Sequence, residues 1–399
     1  MNRSWAKIFE ILEKEERLIV GLMSGTSLDG LDIALCGIRG SGVGTRVRVL
    51  HFKTVGYDSQ FKAEVKSIFS RRDADLQLVC LMNERIGLIH AQMVLEAIAS
   101  WGMQPSDIDV IASHGQTIFH APESLHGLPG YPNATLQIGD GDHIAVHTGI
   151  ITIADFRQKH LAAGAEGAPL AVYGDYLLFS KAGEDRVMLN IGGIANFTYL
   201  PADQDASRVF STDVGPGNTI MDQYVQRHYP GKYFDEAGKM AASGVPNEAL
   251  LKSLRSATFL SAGFPKTTGP ELFNLDYLGA AMERAGLNEM KHEDVMATLC
   301  AFSGSVIVES VIRCFGAEGR PSIYMSGGGM HNPVLVDHLI KGLPNAQFFT
   351  TDELQVSPDA KEAVLFAILA NETLVGNETD YGERPGIPSI GMGKICLPF

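Results

Sequence analysis

Cysteine is scarce in this chain. Five residues (Cys36, Cys80, Cys300, Cys314 and Cys396) are scattered over 399 positions without a CxxC pair. An odd, dispersed set excludes a disulfide framework and matches no zinc template, so buried free thiols in a reducing compartment are expected. A GxxxxGK[ST] loop is missing, which excludes a P-loop NTPase. The protein-kinase signature set is missing too. No run reaches the roughly 18–20 uncharged apolar residues of a membrane span. The opening Trp5-Ala6-Lys7-Ile8-Phe9-Glu10-Ile11 is amphipathic and charge-rich, without the apolar core of a signal peptide. Together these absences predict a cytoplasmic chain with no membrane partner. Positive charge is also short. Lys and Arg number 32 against 46 Asp and Glu, a net −14, which argues against a nucleic-acid partner whose phosphates such a field repels. A nucleotide is not opposed, because its phosphates are met locally by backbone N–H groups and Mg²⁺.

What is present fits an α/β enzyme. The length suits two domains, and 45% hydrophobic with 20% charged residues is ordinary for a globular fold. Residues 18–22, 31–37 and 47–55 read as strands joined by Gly-rich turns. Residues 59–69 and 74–101 have helical spacing, and 109–113 is a buried-strand signal. Three strands, helix, strand is the opening of an actin-like domain rather than a dinucleotide-binding unit. Gly40-Ser41-Gly42-Val43-Gly44-Thr45 has no helix behind it and reads as a hairpin turn. Later segments repeat the theme: 186–195 and 208–213 are strand-then-glycine units, and 295–315 is a long apolar helix. A strand at 322–326 ends in glycines, and Pro358 opens a helix. The pattern restarts near residue 150. Expected domains are therefore 1–150, with 1–17 as a helical extension, and 151–399, with the C-terminal segment packing back on the first.

Four glycine-centred turns stand at strand ends. They are Gly25-Thr26-Ser27-Leu28-Asp29-Gly30-Leu31-Asp32, Asn190-Ile191-Gly192-Gly193-Ile194-Ala195-Asn196, Asp213-Val214-Gly215-Pro216-Gly217-Asn218 and Ser326-Gly327-Gly328-Gly329. A glycine turn lets backbone N–H groups surround a phosphate without a Cβ in the way. The hydroxyls of Ser24, Thr26 and Ser27 add donors, and Asp29 and Asp32 suit a Mg²⁺ shell. The set predicts an α/β, two-domain actin-like ATPase (ribonuclease H-like) fold with an ATP cleft between the domains.

Met23-Ser24-Gly25-Thr26-Ser27-Leu28-Asp29-Gly30-Leu31-Asp32 resembles the opening motif of the anhydro-N-acetylmuramic acid kinase family. Ser113-His114-Gly115-Gln116-Thr117, Asp155-Phe156-Arg157, Gly167-Ala168-Pro169-Leu170, Pro265-Lys266-Thr267-Thr268-Gly269 and the later glycine turns resemble its next blocks, in order. The resemblance implies an ATP- and Mg²⁺-dependent kinase of cell-wall recycling that acts as a homodimer. It would open a 1,6-anhydro sugar with water and phosphorylate the freed O6. By the same resemblance, ATP falls to Gly25, Thr26, Ser27, Leu28, Asp29, Gly30, Leu31, Asp32, Gly192, Gly193, Asn196, Asp213, Gly215, Gly217, Asn218, Gly327, Gly328 and Gly329. Asp32 and Asp213 would hold Mg²⁺ through water, and His114 and Gln116 would face the sugar. Lys266 reads either as part of a nucleotide-side loop or as a surface lysine. The 74–101 helix reads as core or dimer contact.

One loop departs from the family. His160 stands where the family carries its catalytic aspartate, Glu166 replaces a glutamine, Ala165 a glycine, and Pro270 follows Gly269 in place of an arginine. Three readings stay open: neutral His160 is the general base, Glu166 supplies the carboxylate beside a repositioning His160, or the reaction is lost and a nucleotide-dependent sensor remains. Arg157 is the candidate contact to the sugar or the transferring phosphoryl group. A simpler anhydrohexose is the alternative substrate.

Overall fold

In the computed structural model, residues 2–287, 289–354, 356–357, 359–376, 379–384 and 386–399 are described. Pro358, expected to open a helix, lies outside them. The chain divides into two units, Met1–Phe179 with Asp205–Arg208 and Gln355–Phe399, and Ser180–Gln204 with Val209–Leu354.

The first unit is built on a seven-stranded sheet. Its strands are β1 (Glu16–Ser24), β2 (Gly30–Arg39), β3 (Arg46–Gly56), β4 (Val110–Ala121), β5 (Ala134–Ile138), β6 (Ile151–Ala154) and, from the far end of the chain, β12 (Lys394–Cys396). The spatial order is β12-β6-β4-β1-β2-β3, with β5 paired to β4. β1 runs antiparallel to β2, and β2 to β3, while β1, β4 and β6 are mutually parallel. Burial explains the composition of these strands. β1 is covered on both faces and reads as one apolar run, as central strands do. β3 is the edge, alternates exposed and half-buried positions, and carries Arg46, Arg48 and Lys53 there. The helix Lys361–Val375 lies directly on β1. A Cβ on Gly21 would stand 1.9 Å from the carbonyl oxygen of Ala363, so only glycine permits this approach.

The second unit holds a five-stranded sheet in the order β11-β10-β7-β8-β9. Its strands are β7 (Arg186–Ile191), β8 (Ile194–Leu200), β9 (Phe210–Pro216), β10 (Ser322–Ser326) and β11 (Gln347–Thr350). β7, β8 and β9 form an antiparallel meander, and β10 and β11 add in parallel beside β7. Leaving aside β5 and β12, both sheets share one plan: third, second, first, fourth, fifth, with the last two parallel to the first. That is the ribonuclease H-like plan of actin-like ATPases, carried twice.

Two expectations change. Residues 151–179 belong to the first unit, because β6 pairs with β4 and the helix Ala171–Phe179 packs against Lys361–Val375, so the switch falls at 179 rather than 150. Among the described residues two helices, Leu76–Ser100 and His292–Phe315, are long and apolar enough to cross a membrane by length and composition. Packing accounts for them. The second is a core helix, with 78% of its apolar window buried, and the first sets Met82, Ile86, Val94 and Ile98 into the first unit's core.

Candidate active site

The β1–β2 turn is fixed from beneath by a chain of buried polar groups. The Tyr57 hydroxyl donates to Ser24 Oγ at 2.8 Å, and Ser24 donates to Gln116 Oε1 at 2.5 Å. Gln116 Nε2 in turn donates to the carbonyl of Gly25 at 3.4 Å. His90 Nε2 lies 2.9 Å from the Tyr57 oxygen, whose own proton is committed to Ser24, so His90 is the donor there. Burial pushes the His90 imidazole down to about 4, keeping it neutral. Above this chain the turn closes through Leu28 N–H to the Gly25 carbonyl at 3.3 Å, with Leu28 at φ 59°. Thr26, Ser27 and Asp29 are exposed, and a Cβ on Gly25 would meet nothing closer than 3.7 Å. Leu28 and Leu31 turn into the core, at 2% and 0% exposure, so only their backbones face a ligand. Gly30 is required by packing, since a Cβ there would stand 2.5 Å from the Val55 carbonyl oxygen.

Behind the turn, Asp32 accepts from Thr54 Oγ1 at 2.6 Å. Burial raises its carboxyl above the usual range, and the charges of Asp359 and Asp29 add to the rise. Crowded hard oxygens of this kind suit a hydrated divalent cation, which needs few protein ligands. Among the described residues no group of three His, Cys, Asp or Glu could hold a metal alone.

Beside it lies a recess of about 240 Å³, lined by Met23, Arg157, Pro169, Asp175, Leu178, Lys361, Glu362 and Phe366. Asp175, 3% exposed at its side chain, pairs with Lys361 Nζ at 2.7 Å. Glu362 is exposed, yet the surrounding protein raises its carboxyl, Arg157 pulling it back down and Asp32 adding to the rise. Sequence reasoning gave no role to Asp175, Lys361 or Glu362. Lys361 and Glu362 follow Pro358 at the expected helix start, and Asp175 lies far from them in sequence, so no local pattern joins the three.

The histidines of this region face inward. His114 is 3% exposed, accepts from Arg157 Nε at Nε2 (2.9 Å) and donates from Nδ1 to the Gly115 carbonyl (2.9 Å). Burial, then the Arg157 charge, lowers it to about 3. His160 is 0% exposed. Its Nδ1 accepts from Gly167 N–H at 3.0 Å, and its Nε2 donates toward the Tyr173 hydroxyl at 3.2 Å, which passes a bond to the Pro388 carbonyl. Burial lowers it to about 4. With both ring nitrogens engaged, His160 has no lone pair to offer a water. Gln116, also 0% exposed, holds the turn rather than facing a sugar. Glu166 is exposed and does not line the recess.

In the second unit the glycines separate by environment. A Cβ on Gly217 would fall 2.3 Å from the Gly192 carbonyl oxygen, one on Gly329 2.3 Å from Ile191 Cγ2, and one on Gly327 2.6 Å from Asn190 Oδ1. A Cβ on Gly215 would reach Val306 at 2.8 Å. The first three let the β7, β9 and β10 ends meet, and Gly215 lets the helix His292–Phe315 approach β9. At Gly192, Gly193 and Gly328 a Cβ would make only ordinary van der Waals contact, with nothing nearer than 3.6 Å. The N–H groups of Gly217, Asn218 and Thr219 bond the carbonyls of Gly192 and Gly193, tying the β9 end to the β7–β8 turn, with Asn196 half-buried on β8. Asp213 accepts from Thr268 N–H at 2.9 Å, and burial raises its carboxyl, helped by Glu271. Lys266 is a structural residue. Its Nζ caps the carbonyls of Phe259 and Leu260 and lies 4.4 Å from the Phe259 ring centroid, and burial lowers it to about 8. A cavity of about 290 Å³ opens beside Asn218 and Gly328, walled by Met221, Phe234 and Asn332.

Residues 17–382 match the family model described as anhydro-N-acetylmuramic acid kinase. The chain belongs to that family. A curated anhydro-N-acetylmuramic acid kinase of Pseudoalteromonas atlantica is 52% identical over the whole of both chains. That of Caldanaerobacter subterraneus is 39% identical, covering 98% of this chain and all of its own, and that of Bacillus cereus 35%, covering 95% and 99%. The chain is accordingly a kinase, with ATP the phosphoryl donor its family implies, and the open glycines are the ones to read against that chemistry.

Proposed function

We propose that this chain converts 1,6-anhydro-N-acetylmuramic acid and ATP to N-acetylmuramic acid 6-phosphate and ADP. The observation that carries the reading is the family match over residues 17–382. Water adds to the anomeric carbon, the C1–O6 bond of the anhydro bridge breaks, and O6 takes the γ-phosphoryl group of ATP. The water proton leaves to a general base, and the net transfer is one phosphoryl group and one water per sugar.

The recess of the first unit supplies the groups for the sugar half. Glu362 is the base: it lines the recess, its carboxyl reaches solvent, and desolvation raises it above its ordinary value. Arg157 is held by two bonds, to His114 and to the Gly167 carbonyl at 2.7 Å, so its planar fork meets a polar group in fixed orientation. Within the second unit, Gly192, Gly193 and Gly328 stand where a Cβ would meet no protein atom closer than 3.6 Å, and their backbone N–H groups are the phosphate donors of this reading. Within the first unit, Asp32 is the residue that would hold Mg²⁺ through water; when bound, that ion neutralises phosphate charge.

Product formation from 1,6-anhydro-N-acetylmuramic acid, followed by mass spectrometry, tests the reading. Wild type is expected to turn over, and Glu362→Gln to lower kcat by about 10²- to 10⁴-fold with the KM for ATP unchanged. A wild type that binds both substrates and yields no product overturns the kinase reading. An active wild type with an unimpaired Glu362→Gln overturns the assignment of the base.

A further inference from the structure

One buried residue close to Arg157 in the chain is untouched by the reaction as proposed. His160 has no exposed surface, and its two nitrogens face opposite ways along one path. Nδ1 accepts the Gly167 N–H at 3.0 Å, and the carbonyl of that same residue accepts Arg157 Nη1 at 2.7 Å. On the other side, Nε2–H points to the Tyr173 hydroxyl, itself bonded to the Pro388 carbonyl at 3.0 Å. The imidazole thus ties a glycine in left-handed conformation (φ +80°) to a fixed point in the first unit's core. Arg157 is braced a second time by His114 at Nε, which leaves Nη2 as the arm without a hydrogen bond among the described residues.

We propose that His160 is a positioning residue: it fixes the Gly167 peptide, whose carbonyl aims the Arg157 guanidinium into the recess. A guanidinium carries its fork rigidly, so a tilt at one bonded arm displaces the other by a comparable angle. A misplacement of about 1 Å at a reacting group costs roughly 10²-fold in rate. The neutral tautomer that accepts at Nδ1 is the one the geometry requires, and an imidazolium would present a second N–H to the Gly167 N–H instead of a lone pair. The proposal rests on the kinase reading only for what Arg157 acts on; the brace itself does not depend on it.

Two variants separate the roles. His160→Leu removes both bonds, while His160→Asn retains an acceptor near the Nδ1 position for the Gly167 N–H. The first readout is the ¹⁵N-edited NMR signal of the Arg157 Nη1–H, the arm bonded to the Gly167 carbonyl, expected to exchange slowly in wild type and His160→Asn and rapidly in His160→Leu. The second is kinetic. His160→Leu is expected to lower kcat/KM for the anhydro sugar about 10- to 100-fold, with the KM for ATP unchanged, and His160→Asn to recover most of it. In an Arg157→Ala background the His160→Leu loss should disappear, because two residues acting through one group are not additive. If the Nη1–H signal is indifferent to His160 in folded protein, the positioning role is overturned while an active wild type keeps the kinase reading. If His160 governs that signal in an inactive wild type, the brace stands and the kinase reading fails. Additive losses in the double variant would also overturn the proposal.

Discussion

Lowering the pH from 7.5 to 4.5 is expected to remove most of the stability that His160 contributes while neutral. Its ordinary value of 6.5 is lowered by burial to about 4 in the folded chain. Below pH 6.5 the unfolded chain takes up a proton that the folded chain refuses, so stability is complete above 6.5 and falls as the pH drops toward 4. Worked from those two values, the loss is about 1.4 kcal/mol at pH 5.5 and about 2.5 kcal/mol at pH 4.5, to order of magnitude. His90 and His114, also buried and lowered, act in the same direction. Asp32, Glu362 and Glu372 are raised and act against it, gaining stability as the pH falls. Comparison with His160→Asn isolates one residue, because every other group is common to both proteins. Both tryptophans, Trp5 and Trp101, lie in the first unit, so urea unfolding followed by tryptophan fluorescence reports on the unit that holds His160. The stability difference between the two proteins should shrink by about 2.5 kcal/mol between pH 7.5 and 4.5. A difference that stays flat would refute the reasoning, since it would mean that the imidazole titrates alike in both states.

The glycines of the second unit should divide by their surroundings. Gly217→Ala, with its Cβ 2.3 Å from a backbone oxygen, should cost more than about 2 kcal/mol in the urea unfolding of that unit, and Gly328→Ala less than about 1. Gly328→Ala should instead raise the KM for ATP, measured by initial rates. Lys266→Met should lower the thermal midpoint, by losing two carbonyl caps, while leaving the KM for ATP as it was.

Much of the fold was legible because both sheets begin with hairpins whose strands are apolar and whose turns are glycine-rich. What escaped was short or distant. β6 is four residues long and carries no turn signature of its own, so the first unit appeared to end before it. β12 joins the same sheet from the other end of the chain, a pairing that no local pattern announces. At the site, the positions of the turns were readable but the direction of the side chains was not. His160 occupies a catalytic position by resemblance, yet its helix aims it into the core, and one residue's spacing cannot report which face a partner covers. Spacing likewise could not separate Gly192, which has room for a ligand, from Gly217, which has room for nothing. The groups beneath the first turn, Ser24, Tyr57, His90 and Gln116, come from four separate segments and meet only in the folded chain.

That buried series has a polarity. Every link donates the same way, from His90 through Tyr57 and Ser24 to Gln116 and on to the Gly25 carbonyl, so the bond dipoles add and each strengthens the next. Reversing one link would require reversing all of them, including a flip of the Gln116 amide. His90 Nδ1, buried without a hydrogen-bond partner among the described residues, marks the upstream end. The turn above consequently stands on a base with one arrangement of its protons, which fixes the Gly25 carbonyl while Thr26, Ser27 and Asp29 stay exposed above it.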